Sequence, residues 1–283
     1  MITVIIQCAF LSSIDLETFQ RLSLLVLSYG LYYYIITSVA TYLSARLINN
    51  TSALASIVGI WIVWTIFLPK IWGNAVEKIH TLPSRQNFKS AMKEERSKGI
   101  DGHNPTDKRR EELKSKYLTE YKVDSLKQLP INFDGIVMQE DEEYGNLVWD
   151  KHFGGNYSIL QKQKFLYQIS GIINPFASLQ SASMGFCGTD MIHHLGFLKE
   201  AENYRRYLIK TLNDKHAYGG SKTGNWRWTV DGSFFKTVKD FDYKTPTIMN
   251  QLNHYAIDLI CLIWCGLFVT FMIAFKTNKT III

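Results

Sequence analysis

An aspartate, two histidines, two glutamates and two arginines fall within one short stretch of the chain, GTDMIHHLGFLKEAENYRR (188–206). These are the residue types of metal ligation and of general acid–base catalysis. On a helix, His193 and His194 point about 100° apart and do not converge on one ion. The HExxH spacing of a zinc hydrolase helix does not occur. Asp190 and His194 stand four residues apart and can touch, so they are the one metal or acid–base pair on offer. Against that stands a plainer reading, in which Thr189 or Asp190 caps a helix and a histidine bonds to the cap. Glu202 and Arg205, three apart, can pair on the same helix.

Other tests for chemistry come out negative. GGSKTG (219–224) contains Lys-Thr, but Ser221 occupies the place where a phosphate-binding loop needs glycine. No G-x-S-x-G elbow is present. The four cysteines are Cys8, Cys187, Cys261 and Cys265, with no C-x-x-C, and only Cys187 lies in a polar region. KRREELKSK (108–116) mixes basic and acidic residues at helical spacing, as a solvated helix face does. Basic blocks with interleaved aromatics are missing, so nucleic acid is not an expected partner. No catalytic, cofactor-binding or metal residue is assigned from the sequence, Asp190 and His194 being the weak exception.

The elements that must position these residues follow from an uneven composition. The chain has 283 residues, of which 47% are hydrophobic. Residues 73–254 hold 26 of the 31 Lys and Arg and 22 of the 25 Asp and Glu. A polar region is thus set between strongly apolar ends. LSLLVLSYGLYYYIITSVATYLSA (22–45) carries no charge and is long enough to cross about 30 Å of hydrocarbon. SALASIVGIWIVWTIFL (52–68) follows, closed by Pro69-Lys70, and YAIDLICLIWCGLFVTFMIAF (255–275) comes last. Residues 1–14 are apolar but short and lack a basic start or cleavage site; they read as the latter part of a further span.

The expected organisation is transmembrane segments at 21–46 and 52–70, with a partial one at 1–14. A polar domain follows at 73–252, then a final transmembrane helix at 253–276 and a tail at 277–283. The fold class is mainly α. Arg46 in the loop between the first two full spans, and Lys276 and Lys279 in the tail, put those segments in the cytoplasm and the polar domain outside. Asp258, in the first turn of the last span, is expected at the interface, facing the helix N-terminus. Thr37 and Thr41, with Ser56 and Gly59, fit helix-packing faces. Tyr29 and Tyr33 need hydrogen-bond partners and should face other helices or a lumen.

Within the polar domain, helices are expected over 82–98, from a cap at Thr106 to 122, over 156–173 and 176–187, and for about twenty residues from Met191. Residues 130–155, rich in Gly, Asn and acids, read as loop with short extended pieces. Residues 213–247, with Trp226, Trp228, Phe234, Phe235, Phe241 and Tyr243, read as a strand pair or an aromatic clamp.

The order of LPSRQNF (82–88), PINFDGIVMQEDEEYGN (130–146), NPFASLQSASMGFCGTDMIHH (174–194) and FLKEAENYRR (197–206), in a polar insert before a last span, resembles the permease subunits of ABC-2-type transporters. The likeness is to an uncharacterised branch, near the gliding-motility-type permeases, that carries a large extracytoplasmic domain. It implies an α-helical protein of the bacterial cytoplasmic (inner) membrane. This chain would be the C-terminal part of a six-span permease that dimerises with a second permease subunit and pairs with an ABC ATPase subunit. ATP and Mg would bind in that partner, with no cofactor and no enzymatic activity in this chain. Two other classes remain: a non-transporting envelope scaffold, and a membrane-anchored metal-dependent enzyme using Asp190 and His194.

Overall fold

A computed structural model of the chain describes residues 15–100 and 107–277. The partial span at 1–14, the Thr106 cap and the tail from 278 lie outside the described residues. Those described are mainly helical, with no strand among them. Eight longer helices run in chain order: α1 Leu16–Ser44, α2 Asn50–Ile79, α3 Arg85–Arg96, α4 Lys108–Tyr121, α5 Phe133–Ile169, α6 Pro175–Phe186, α7 Met191–Tyr218 and α8 Ala256–Thr277.

Three helical stretches, Leu16–Ser44, Asn50–Ile79 and Ile248–Phe275, are long and apolar enough to cross a membrane. The first begins earlier than its uncharged run. Asp15 caps it, accepting from Thr18 N at 2.8 Å, and Glu17 neutralises Arg21 one turn on at 2.7 Å. Charge at positions 17 and 21 therefore does not interrupt the helix.

The second stretch does not close at Pro69-Lys70. Residues Val63–Phe67 form a π-turn, and Leu68 N bonds back to Val63 O, immediately before the proline. The widened turn absorbs the missing N–H and the ring of Pro69, and the helix continues to Ile79.

The chain divides into two units by packing. One holds residues up to 81, residues 160–195 and those from 244 on, so part of the polar insert groups with the apolar helices. Its core joins Tyr32 and Ile35 of α1 with Leu179 of α6 and Leu262 and Cys265 of α8. A second cluster there unites Ala182, Phe186, Ile248 and Tyr255.

The other unit holds residues 82–159 and 196–243. Its core is Leu129, Ile131, Phe133, Ile136, Val137 and Ala217, covered by Leu113, Tyr117 and Leu118 of α4. Here the loop expected at 130–155 is overturned, because α5 runs unbroken from Phe133. Asn132 starts it, its Oδ1 accepting from Asp134 N at 2.9 Å. Gly135 lets the Ala217 backbone come close: a Cβ there would lie 2.7 Å from Ala217 N. Gly145 likewise leaves room for the Arg96 guanidinium. Two of the acids that suggested a loop are paired, Asp134 with Arg110 and Asp141 with Arg96, both at 2.9 Å.

The strand pair expected within 213–247 is also absent among the described residues. α7 continues to Tyr218, and after it Trp228 stacks on His216 with centroids 6.0 Å apart.

Candidate functional site

The start of the stretch 188–206, residues 188–195, forms the centre of a buried charge cluster in the first unit. Gly188, at φ +70°, ends α6 in the left-handed conformation that glycine tolerates. Asp190 then caps α7. A cap carboxylate reaches the N–H three residues on, and Oδ1 accepts from His193 N at 3.2 Å and from His193 Nδ1 at 2.6 Å. Its Oδ2 accepts from Lys164 Nζ at 2.9 Å and from the Tyr255 hydroxyl at 3.0 Å.

Asp190, His193 and Tyr255 are buried, and Lys164 lies over the Tyr255 ring, 4.5 Å from its centroid. Burial alone would raise the Asp190 carboxyl, but the bonds from His193 and Lys164 outweigh it and hold the group at about 2.

One layer on, Asp258 is completely buried. Its Oδ2 accepts from Gln168 Nε2 at 2.6 Å and from Ser181 Oγ at 2.9 Å, while Oδ1 has no protein partner. The expected interfacial position is therefore corrected: α6 and the end of α5 cover this side chain. On the α1 side, Arg21 pairs with Glu17 and donates to the carbonyls of Phe186 at 2.9 Å and Pro246 at 3.0 Å. Beside the cluster opens a cavity of about 280 Å³, bounded by Lys164, Asp190, Ser181, Tyr167 and Met184.

The metal or acid–base pairing of Asp190 with His194 does not form. His194 is exposed, and its neighbour His193 takes the Asp190 carboxylate. Among the described residues no group of three or more His, Cys, Asp or Glu could hold a metal ion.

Of the span residues singled out, Tyr29 is half-buried, and Tyr33 is 61% exposed. Thr37 and Thr41 are exposed and donate back to the carbonyls of Tyr33 and Thr37 at 2.8 and 2.9 Å. Ser56 is half-buried, and Gly59 faces open space. Within this chain the buried face of α1 is instead Ser28, Tyr32, Ile35 and Ser38. Cys261 and Cys265 are buried, with Cys265 Sγ 3.4 Å from the carbonyls of Gly171 and Ile172.

Lys164, His193, Tyr255, Gln168 and Ser181 were missed by sequence reasoning. Arg21, a charge at the edge of an apolar run, and His193, three residues after the cap, carried a visible signal.

The second unit has its own polar framework. Glu202 accepts from Arg205 Nε and Arg206 Nε, each at 2.8 Å, and so the expected pair with Arg205 is present. Arg205 reaches on to Glu142 at 3.0 Å, and Arg206 to Asp150 at 2.7 Å. Burial would raise Glu202, but the two guanidinium groups hold it below the usual carboxylate range. Ser221, the misfit in GGSKTG, is buried; its hydroxyl donates to His216 O at 2.6 Å and accepts from Asn132 Nδ2 at 2.7 Å. That loop is pinned as structure.

Fold and cluster together define a helical chain with three helices capable of crossing a membrane and a charged cluster packed among them. The chain belongs to the family described as "Domain of unknown function (DUF3526)", whose model matches residues 85–244. No curated protein and no solved structure matches it.

Proposed function

We propose that the chain is a membrane-spanning permease subunit of an ATP-driven, ABC-2-type transporter, energised by a separate cytoplasmic ATPase that binds ATP and Mg. In this reading it is a multi-pass protein of the bacterial cytoplasmic membrane, with the polar domain on the extracytoplasmic side.

The observation that carries the reading is the packing of residues 160–195, part of the insert, among the apolar helices through buried charges. Arg21 of α1 holds the end of α6, Tyr255 just before α8 holds the cap of α7, and Asp258 of α8 holds α6. A shift of α1 or α8 must therefore move these insert helices with it. Such coupling suits a subunit that converts closure of an ATPase into movement of substrate or transmission of force. The exposed positions Tyr33, Thr37 and Thr41 of α1 and Gly59 of α2 are left for the second permease subunit.

The test is affinity purification of the full chain from its native membrane in mild detergent. Co-purification of a nucleotide-binding subunit, with ATP hydrolysis in the recovered complex, is expected. Recovery with envelope proteins only, and no ATP hydrolysis, would overturn the reading in favour of a scaffold.

A further inference from the structure

The cluster in the first unit contains more carboxyls than Arg and Lys side chains. Its cations are Arg21 and Lys164; its carboxyls are Glu17, Asp190 and Asp258. Arg21 is matched by Glu17 at 2.7 Å, and Lys164 by Asp190 at 2.9 Å. Asp258 is left without a cation of its own.

The groups that face Asp258 come from every element around it. α5 contributes Lys164 and Tyr167, and the start of α7 contributes Asp190 with His193 bonded to it. Its own segment contributes Tyr255 and Cys261. The only cation in that set is Lys164, whose ammonium is directed to Asp190 and the Tyr255 ring. The Asp258 hydrogen bonds come from neutral donors, Gln168 and Ser181, and both reach the same oxygen.

A bare carboxylate without a counter-ion, fully buried in an apolar helix bundle, is among the costliest groups a protein can hold. Adding one proton removes the charge. Placing that proton elsewhere in the cluster would leave Asp258 ionised.

We propose that this cluster is a proton-binding site, with one exchangeable proton held on Asp258 and delivered from solvent through the cavity at Ser181. Ser181 is the residue that joins the two: it lines the cavity and donates to Asp258 at 2.9 Å. Proton uptake converts the carboxylate to a neutral acid: the Ser181 hydroxyl passes its proton to Asp258 and takes up one from the hydronium of the solvent, so that the serine is unchanged. The proposal goes beyond the permease reading and stands independently of it, since it rests on the burial of Asp258 and its contact with the cavity through Ser181.

The experiment is infrared spectroscopy of the full chain in lipid at neutral pH, with and without ¹³C-labelled aspartate. The expected result is a carboxylic-acid C=O band that shifts with the label and is lost in Asp258→Asn. Should Asp258→Asn fail to fold, the label shift in the wild-type chain still decides, because an aspartic acid that stays protonated at neutral pH is itself the anomaly. No label-sensitive acid band at neutral pH, or an imidazolium signature at His193 by ¹⁵N NMR, overturns the proposal. Exchange of the band in heavy water tests the route: Ser181→Ala should slow it about tenfold or more, and an unchanged rate rules out delivery through Ser181.

Discussion

The Tyr255 hydroxyl donates to the Asp190 carboxylate at 3.0 Å, joining two positions 65 residues apart in the chain. The bond fixes the segment leading into the last apolar helix to the cap of α7. Tyr255 is also fully buried and packs edge-on against Phe186, with centroids 5.6 Å apart. Tyr255→Phe keeps the ring and removes only the bond, so it should cost about 1–2 kcal/mol. Tyr255→Ala also empties the site and should cost about 3–5 kcal/mol. Thermal unfolding of both variants in detergent checks the difference.

The same ring makes Gly185 a packing requirement. A Cβ at Gly185 would overlap the Tyr255 ring edge. Gly185→Ala should therefore destabilise by about 1–3 kcal/mol. In a Tyr255→Ala background the penalty should largely vanish, because the clashing atoms are gone. A double-mutant cycle on unfolding midpoints measures this coupling, and additive penalties would contradict it.

Asp190 gives the first unit an acid-sensitive element. Burial works to raise this carboxyl, yet His193 and Lys164 hold it at about 2, below its ordinary 3.8. A depressed carboxyl contributes stability that is full above the unfolded value and lost as pH falls through the folded one. The wild-type chain should lose that contribution between about pH 4 and pH 2, whereas Asp190→Asn should lack this component of the pH dependence. At neutral pH the same variant strands a mostly buried Lys164 ammonium, at a cost of about 3–5 kcal/mol. Unfolding midpoints across the pH series read both effects.

In the second unit, Glu202 is the shared acceptor of Arg205 and Arg206. Glu202→Gln should loosen α7 by about 1–3 kcal/mol, since both guanidinium groups keep their other acids and partial solvent exposure. Hydrogen exchange of the α7 amides between 196 and 218 should rise. Unchanged protection there would show that the pair is not part of what holds the helix.

Much of this architecture was legible from composition. The three apolar stretches, the helices expected over 82–98 and 176–187, found at Arg85–Arg96 and Pro175–Phe186, and the Glu202–Arg205 pair follow from local rules of charge, capping and periodicity. The misreadings came from contacts that arrive from far away in sequence. Pro69 looked like a helix end because the π-turn before it is not encoded by any recognised breaker. Gly135 and Gly145 looked like loop residues, but each admits a close neighbour, Ala217 or Arg96. Asp258 looked interfacial because Gln168 and Ser181, which cover it, lie 90 and 77 residues away. The choice between His193 and His194 was open to local reasoning. A cap carboxylate reaches three residues along the chain, and from Asp190 that is His193.

The sidedness of the polar domain is the question on which the permease reading turns. His194 is exposed, so a cysteine placed there by His194→Cys, in a background with Cys8→Ser and Cys187→Ser where only the buried Cys261 and Cys265 remain, reports which compartment α7 faces. A membrane-impermeant maleimide applied to intact inner-membrane vesicles and spheroplasts of known orientation should label it from the extracytoplasmic side without permeabilisation. Labelling only from the cytoplasmic side would contradict that topology and, with it, the proposed role.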